Sequence, residues 1–421
     1  MTVAAYCRQN AGKDRSFSGV SDETNGIRRG ARASDINVLM PQGSYSPEHK
    51  SGAGHQQSFE SMPEESALRA TDEVIENNIP ISIPTLNATF IPIPSLPNQQ
   101  TRKANATFVM LVREKDLHGA RSAVRQVEDR FNRHYQYPYV FLNDEPFTNG
   151  FMESMRTMSK SEMIFGLIPK EHWGYPDWIS QEKAAEARRT MRKIIYGSSE
   201  SYRHMCRYQS GFLVQHVAML QFDYYWRIEP DVQYSCDIEF DPFLYMQDNN
   251  KKYGFTISLY EYPETIRSLW NATKEFMATF PHLLAKESAL DFISTDGGNT
   301  YNYCHFWTNF EIVDARWMRG EAFQQYFQHL DRAGGFFYER WGDAPVHSIA
   351  AALLLSLDEI HFFREIGYFH LPFHNCPAEP KLQAKCHCDP ALNARDKASR
   401  AKYCGNLGAL GLVGFASEDE P

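Results

Sequence analysis

Several features that define other classes of protein are missing from this sequence. No stretch approaches the roughly 20 apolar residues that a membrane-spanning helix needs, and residues 1–14 lack the apolar segment of a signal peptide. There is no long block of Lys and Arg, and the net charge is -9. Because nucleic-acid binding requires a clustered basic surface, nucleic acid is not expected as the main partner. The absence of a glycine-rich phosphate loop and of a serine-hydrolase motif argues against those two kinds of enzyme.

Residues 1–103 differ in composition from the rest of the chain. They are rich in Gly, Ser, Asn, Gln and Pro, and their apolar residues follow neither helix nor strand spacing. We therefore expect a disordered, stem-like segment that ends in a proline-rich spacer. Residues 104–421 are expected to form the folded domain.

Cysteine is concentrated in the C-terminal half, which holds six of the eight cysteines. Asn87, Asn105 and Asn271 each begin an Asn-Ala-Thr sequon. Both features favour an oxidising lumen as the location of the protein. Cys386 and Cys388 do not have the two-residue spacing of a zinc site, so disulfides are favoured over zinc, with their pairing left open.

The order of apolar patterns predicts an α/β fold. Buried-strand runs occupy residues 106–113, 139–142, 162–167 and 224–228, and helical spacing is found at residues 116–132, 188–196 and 201–220. Strands that alternate with helices in this way form a mostly parallel sheet. Ligands of such sheets bind beyond the carboxyl ends of the strands. The polar residues expected at these ends are Glu114, Lys115, Asp116, Asn143, Asp144 and Glu145.

Two carboxylates, Glu229 and Asp231, follow the strand at residues 224–228 and are separated by a proline. Oxygen ligands at the edge of a buried sheet suit Mn²⁺ or Mg²⁺ bound to a diphosphate. The alternative is a proline turn with solvated acids. A rival set, Asp237, Glu239 and Asp241, alternates with apolar residues and is more typical of the solvent face of an edge strand.

Three other side chains allow two interpretations each. Glu311 lies in an aromatic and apolar run, where a carboxylate is either functional or the buried partner of an arginine such as Arg316. Asp343 precedes an apolar helix and is interpreted as its N-cap, a position that can also face a ligand. His370 is a lone imidazole in an aromatic strand, so it is either a hydrogen-bonded core residue or a metal ligand.

The spacing of Arg203 and Arg207 places them on one face of a predicted helix. Two cations in that arrangement can bind a diphosphate. The alternative is a pair of surface salt bridges.

Four segments form a specific combination. They are residues 202–211 (YRHMCRYQSG), 224–232 (YYWRIEPDV), 304–312 (CHFWTNFEI) and 367–377, which contains Gly367-Tyr368, His370 and Asn375-Cys376-Pro377. Together they resemble the fungal α-1,2-mannosyltransferases of the Golgi, over residues 105–404.

The resemblance implies a GT-A nucleotide-sugar transferase fold for residues 104–421, with helices flanking a Rossmann-like mixed sheet. Members of this family transfer mannose from GDP-mannose to mannose on N- or O-linked glycans. They depend on Mn²⁺ and form an α-1,2 linkage with retention of configuration. The resemblance therefore implies GDP-mannose as donor, Mn²⁺ as cofactor and mannose-terminated glycans as acceptors.

Matched position by position, the resemblance makes Glu229 and His370 the protein ligands of Mn²⁺, with Asp231 as a weaker candidate. Glu311 matches the carboxylate proposed as nucleophile, which either forms a glycosyl-enzyme or stabilises positive charge during front-face attack. Asp343 matches an active-site acid. The residues expected to bind the donor and acceptor are Tyr202, Arg203, Arg207 and Arg113.

Members of the family are held in the Golgi membrane by an N-terminal anchor that a stem follows. Only the stem-like spacer is visible here, so we expect the start of the chain to be incomplete and the folded domain to act in the Golgi lumen. Two other functions compete. A metal-dependent phosphohydrolase of nucleotide diphosphates usually needs paired metal clusters that the sequence does not contain. A non-catalytic carbohydrate-binding relative is disfavoured because Glu229, Glu311 and His370 are all retained.

Overall fold

The computed structural model of the chain describes residues 102–394 and 404. The predicted stem, except for its last two residues, lies outside this part, and so does the sequon at Asn87. None of the helices in the described residues is long and apolar enough to cross a membrane.

The strands of the described residues fall into three sheets. They are β1 (Ala106–Leu111), β2 (Tyr139–Asn143), β3 (Met163–Leu167), β4 (Tyr224–Arg227), β5 (Gln233–Tyr234), β6 (Tyr253–Phe255), β7 (Ser258–Tyr260), β8 (Cys304–Phe306), β9 (Glu311–Asp314), β10 (Ile360–Phe362), β11 (Tyr368–His370) and β12 (Phe373–Asn375). The central sheet has the order β10-β6-β9-β4-β1-β2-β3. A small sheet has the order β12-β11-β5, and β7 pairs with β8.

Helices connect and cover these strands. They are α1 (Leu117–Val127), α2 (Arg133–Tyr135), α3 (Asn149–Arg156), α4 (Gln181–Thr190), α5 (Glu200–Arg207), α6 (Pro242–Asp248), α7 (Leu269–Thr279), α8 (Leu290–Ile293), α9 (Ala315–Arg319), α10 (Glu321–Ala333), α11 (Gly335–Tyr338), α12 (Asp343–Leu354) and α13 (Pro380–Gln383). A π-helical turn at Glu128–Asn132 extends α1, and another at Tyr208–Phe212 extends α5.

The central sheet is mixed, as the sequence predicts. β1 runs parallel to β2 and β4, β2 to β3, and β10 to β6, whereas β9 is antiparallel to β4 and β6. The carboxyl ends of β1, β2 and β4 therefore lie at one edge. β9 begins at the same edge, because Glu311 pairs in register with Arg227.

Side chains on both faces of this sheet are buried. Along β1, Phe108 and Met110 join one apolar core and Val109 joins the other, as the two-residue period of a strand requires. Trp226 of β4 packs against Phe108 at a ring distance of 5.3 Å. Burial on both faces explains why the strands read as nearly continuous apolar runs.

Two local predictions are wrong. The helix expected at residues 188–196 is α4, which begins at Gln181 after the Ser180 cap and ends at Thr190. The acids at residues 237–241 do not share a strand face. Asp241 instead caps α6 by accepting from the backbone N–H groups of Phe243 and Leu244, and Asp237 pairs with Arg130.

Three disulfides close loops in the C-terminal half: Cys236–Cys386, Cys304–Cys404 and Cys376–Cys388. They confirm the preference for disulfides over zinc. Cys206 is a free, buried thiol.

Candidate active site

A cavity of about 280 Å³ opens at the carboxyl edge of the central sheet. The ends of three neighbouring strands form one wall, and the segment that contains α5 forms the other. The strand side contributes Arg113, Asp116, Asn143, Asp144, Arg227 and Glu229, and the facing side contributes Trp173, Tyr196, Ser199, Tyr202, Met205 and Gln209. This is the position at which parallel α/β sheets bind ligands.

Glu229, which lines this cavity, lies next to His370, which comes from a distant part of the chain. The small sheet brings them together, because β11 pairs with β5 directly after the Glu229-Pro230-Asp231 turn. His370 Nε2 lies 4.0 Å from Glu229 Oε2. Two atoms that bind one divalent ion at about 2.1 Å each can be no more than about 4.2 Å apart. The pair therefore fits as two ligands of a single ion.

The protonation of His370 suits that role. Burial lowers the pKa of His370 below its ordinary value, although the negative charges of Glu229 and Asp231 act to raise it. The imidazole is therefore neutral near pH 7, as a metal ligand must be. Its Nδ1 atom is buried and has no hydrogen-bond partner among the described residues.

Asp231 is close to this pair but is held differently. Its backbone has a positive φ of 66°, and its N–H donates to the carbonyl of Gly119 in the first turn of α1. The carboxylate lies against Gly119, where an added Cβ would be 2.8 Å from Oδ1. The helix N-terminus favours a negative charge at that point.

Arg227 connects two of the candidate acids. Its guanidinium donates to Glu229 and, at 2.6 Å, to Oδ2 of Asp343. Thr308 also donates to Asp343, at 2.7 Å. Burial raises the pKa of Asp343, but Arg227, His347 and the hydrogen bond from Thr308 together outweigh burial and hold the pKa below its ordinary value. Asp343 is the first residue of α12 rather than its N-cap, which is Gly342.

Glu311, which pairs in register with Arg227, has no exposed side-chain surface. Tyr225 and Tyr253 donate to it at 2.8 and 3.0 Å, and His347 Nδ1 lies 3.0 Å from Oε2. The other ring nitrogen of His347 lies 3.1 Å from the backbone carbonyl of Gln209. A carboxylate and a carbonyl both accept, so an ionised Glu311 requires that both ring nitrogens of His347 carry protons. Burial lowers the pKa of His347, but the charge and the hydrogen bond of Glu311, together with the charge of Asp343, raise the pKa above its ordinary value.

The structure separates the four residues expected to bind donor and acceptor. Tyr202 and Arg113 line the cavity. Arg203 is fully buried and donates to the carbonyls of Ser199 and Glu339. Arg207 forms a buried ion pair with Asp331 at 2.7 Å, outside the lining of this cavity.

Sequence reasoning missed several residues of the site. Arg227 was within the quoted motif, and a charged side chain in a buried strand was the signal that it needs carboxylate partners. His347 stands four residues after Asp343 on α12, which is one helical turn. Gln209 gave no signal: it lies in a π-helical turn, and its amide oxygen is buried without a partner among the described residues.

Comparison with known proteins identifies the family. The sequence model described as glycolipid 2-alpha-mannosyltransferase matches residues 59–405. The chain belongs to this family. A glycolipid 2-alpha-mannosyltransferase of Candida albicans is 54% identical over 306 residues, which are 71% of each chain. A glycolipid 2-alpha-mannosyltransferase of Saccharomyces cerevisiae is 50% identical over 360 residues, 84% of this chain and 80% of the relative.

Solved structures of family members have the same fold. Core-mannan synthase A of Aspergillus fumigatus in its Mn/GDP form is 40% identical, with a TM-score of 0.70 over 75% of this chain and 88% of that one. The mannosyltransferase Ktr4p of Saccharomyces cerevisiae in complex with GDP is 38% identical, with a TM-score of 0.70 over 73% and 81% of the two chains.

These matches confirm the predicted family, the GT-A fold and the glycosyltransferase class. The family match begins at residue 59, inside the segment predicted as a stem, and the division between residues 103 and 104 stays a prediction. The disulfides and the relatives are consistent with an enzyme of the secretory pathway.

Proposed function

We propose that the chain transfers mannose from GDP-mannose to the 2-hydroxyl of a mannose residue on a glycan, with Mn²⁺ as cofactor. The observation that carries the proposal is the pair of Glu229 and His370, 4.0 Å apart, in which Glu229 lines a cavity built from strand ends. The Mn and GDP in the structure of core-mannan synthase A and the GDP in that of Ktr4p support it.

In this proposal Glu229 and His370 hold the ion, and Asp231 adds negative charge beside it. Because only two ligands come from the protein, the ion has further positions for oxygens of the GDP diphosphate. By offsetting the negative charge of the diphosphate, the ion would make it a better leaving group. Arg113, with a side chain 41% exposed at the strand edge, can bind a phosphate oxygen. Tyr202 forms an apolar wall for the sugar, since its ring stacks on Tyr196 at 4.5 Å.

The donor and the product are both α-linked, so the reaction retains configuration. Glu311 has no exposed surface and already accepts from three donors, so we favour front-face attack over a covalent intermediate on this residue. The negative charges of Glu311 and Asp343 then stabilise positive charge on the transferred mannose. Glu311 acts in this scheme as a positioning residue, because it contacts the cavity only through its neighbours.

We further propose that the acceptors are mannose-terminated N- or O-glycans and that the enzyme works in the Golgi lumen. Three disulfides require an oxidising compartment, which supports a lumenal location. The names of the relatives, which include O-glycoside α-1,2-mannosyltransferases, support the acceptor class.

The test is incubation of the purified chain with GDP-mannose, Mn²⁺ and methyl α-mannoside. We expect an α-1,2-linked dimannoside, identified by NMR. Release of mannose phosphate without disaccharide would instead support a phosphohydrolase, and binding without turnover would support a non-catalytic relative.

A further inference from the structure

A second cavity of about 230 Å³ lies on the other side of α5 from the active-site cavity. We call it the rear cleft, and its walls include Trp178, Arg207 and Phe212 on one side and Gln324, Phe327 and Gln328 of α10 on the other. It shares no lining residue with the active-site cavity. Tyr202 and Arg207 are five residues apart on α5, so their side chains leave the helix about 140° apart around its axis and line different cavities.

The rear cleft combines an exposed aromatic ring with ordered neighbours. Trp178 is 53% exposed, which is unusual for so large an apolar residue. Its indole N–H donates to the carbonyl of Asp331 at 3.1 Å, so the ring has a fixed orientation. Phe212 also lines the cleft, with the Arg207 guanidinium 4.7 Å from the centre of its ring and the Phe327 ring packed on it in a T-shaped arrangement, 5.1 Å between ring centres.

Three glutamine amides are among the polar groups of the rear cleft. Gln324, Gln328 and Arg332 recur on one face of α10 at helical spacing, and Gln215 donates to Gln324 at 2.7 Å from the opposite wall. Gln328 has no hydrogen-bond partner among the described residues and is exposed. Gln215 Nε2 also donates to the carbonyl of Gly211, and Gln324 Nε2 donates to the carbonyl of Met318. The groups that remain for sugar hydroxyls are Gln215 Oε1, one N–H of Gln324 and the whole amide of Gln328.

The charges of the rear cleft are largely neutralised. Arg207 gives two hydrogen bonds to Asp331, at 2.7 and 2.9 Å, so this cation is not available to an anionic ligand. Arg332 is the cation of the lining that has no partner among the described residues, and it is exposed. Apart from the exposed Arg332, the lining therefore offers an aromatic face and amides rather than cations, which favours an uncharged ring over a nucleotide.

We propose that the rear cleft binds a neutral pyranose residue of a glycan chain, stacked on Trp178 and hydrogen-bonded by the amides of Gln215, Gln324 and Gln328. The cleft then holds a glycan away from the reaction centre, as a second binding site on the same enzyme. The choice of a mannose oligosaccharide as the probe rests on the proposed function. The inference that the cleft binds a neutral sugar ring rests only on the residues that line it.

The test is titration of mannotriose into the full chain, with GDP and Mn²⁺ in excess to fill the active-site cavity. We expect one binding event that remains under these conditions and weakens about tenfold in Trp178→Ala, because the stacking face is lost. Trp178→Phe, which keeps an aromatic face, should retain most of the affinity. Gln328→Ala, at an exposed position, should weaken binding without changing the unfolding free energy.

Transfer to methyl α-mannoside separates this proposal from the proposed function. Trp178→Ala should leave kcat and KM for this small acceptor unchanged, because the rear cleft contributes nothing to the reaction centre. Loss of all mannotriose binding when GDP fills the cavity would overturn the inference, as would equal affinity in wild type and Trp178→Ala. Trp178-dependent binding of a proline-rich peptide, with none of mannotriose, would also overturn it. None of these results bears on whether transfer occurs.

Discussion

Arg227 and Asp343 form a buried ion pair, with Nη1 of the guanidinium 2.6 Å from Oδ2 of the carboxylate. The pair joins the carboxyl end of β4 to the first turn of α12 across 116 residues of chain. Because the same guanidinium also donates to Glu229, the pair fixes the residue that we propose as a metal ligand.

Removal of one partner of this pair should be strongly destabilising. We expect Asp343→Ala to lower the unfolding free energy by about 3–5 kcal/mol, because Arg227 is left buried with less compensating charge. Denaturant unfolding measures the change. The matched control is Asp237→Ala, which removes an exposed partner of Arg130 and should change stability by less than about 1 kcal/mol. Equal effects of the two substitutions would contradict the structural role assigned to Asp343.

Substitution of Glu311 should separate transfer from donor binding. We expect Glu311→Gln to lower kcat by more than about 100-fold, since it removes a charge that favours the transition state. GDP affinity in the presence of Mn²⁺ should be nearly unchanged, because Glu311 does not line the cavity. Tyr225→Phe, which removes one donor and keeps the charge, should have a much smaller effect on kcat. Equal losses of transfer and GDP affinity in Glu311→Gln would leave Glu311 as a structural acid only.

The ion pair of Glu311 and His347 should make stability depend on pH. The pKa of His347 is raised in the folded state, so its contribution is fully present below the unfolded value of 6.5 and is lost as pH rises through the folded pKa. We therefore expect the difference in unfolding free energy between wild type and His347→Gln to shrink as pH rises from about 6 to about 9. A difference that stays constant or grows with pH would show that His347 is neutral in the fold.

Much of the central sheet could be predicted because its strands are buried on both faces. β1, β2 and β4 appear as apolar runs, and the polar residues that follow them mark the edge at which the cavity forms. α4 was placed too far along the chain because only Ala184 of its residues is buried, so it has no apolar stripe to define its ends.

The partners of the buried charges could not be predicted. The sequence offered a diphosphate or a surface salt bridge as the partner of Arg207, and its partner in the structure is Asp331, 124 residues away on α10. The partners of Glu311 could not be predicted either, and the sequence suggested Arg316 as its partner. Arg316 instead pairs with Asp314, and the interior surrounds Glu311 with two tyrosines and a histidine. Such pairs depend on the packing of distant elements, which local periodicity does not contain.

The disulfides should contribute unequally to stability. In the chain-entropy description the cross-link between Cys304 and Cys404, 100 residues apart, is worth about 4.7 kcal/mol, and the one between Cys376 and Cys388, 12 residues apart, about 3 kcal/mol. We expect paired Cys→Ala substitutions to lower the thermal unfolding temperature more for the first bond than for the second. The opposite order would indicate that local packing outweighs loop entropy.

The central claim is that Glu229 and His370 hold a divalent ion against the diphosphate of the donor. Its most direct test is calorimetric titration of GDP with and without Mn²⁺, in wild type, Glu229→Gln and the control Asp231→Asn. We expect Mn²⁺ to tighten GDP binding at least about tenfold in wild type, or about 1.4 kcal/mol. This gain should disappear in Glu229→Gln and persist in large part in Asp231→Asn. GDP binding that does not respond to Mn²⁺ in wild type, or a full response in Glu229→Gln, would contradict the account.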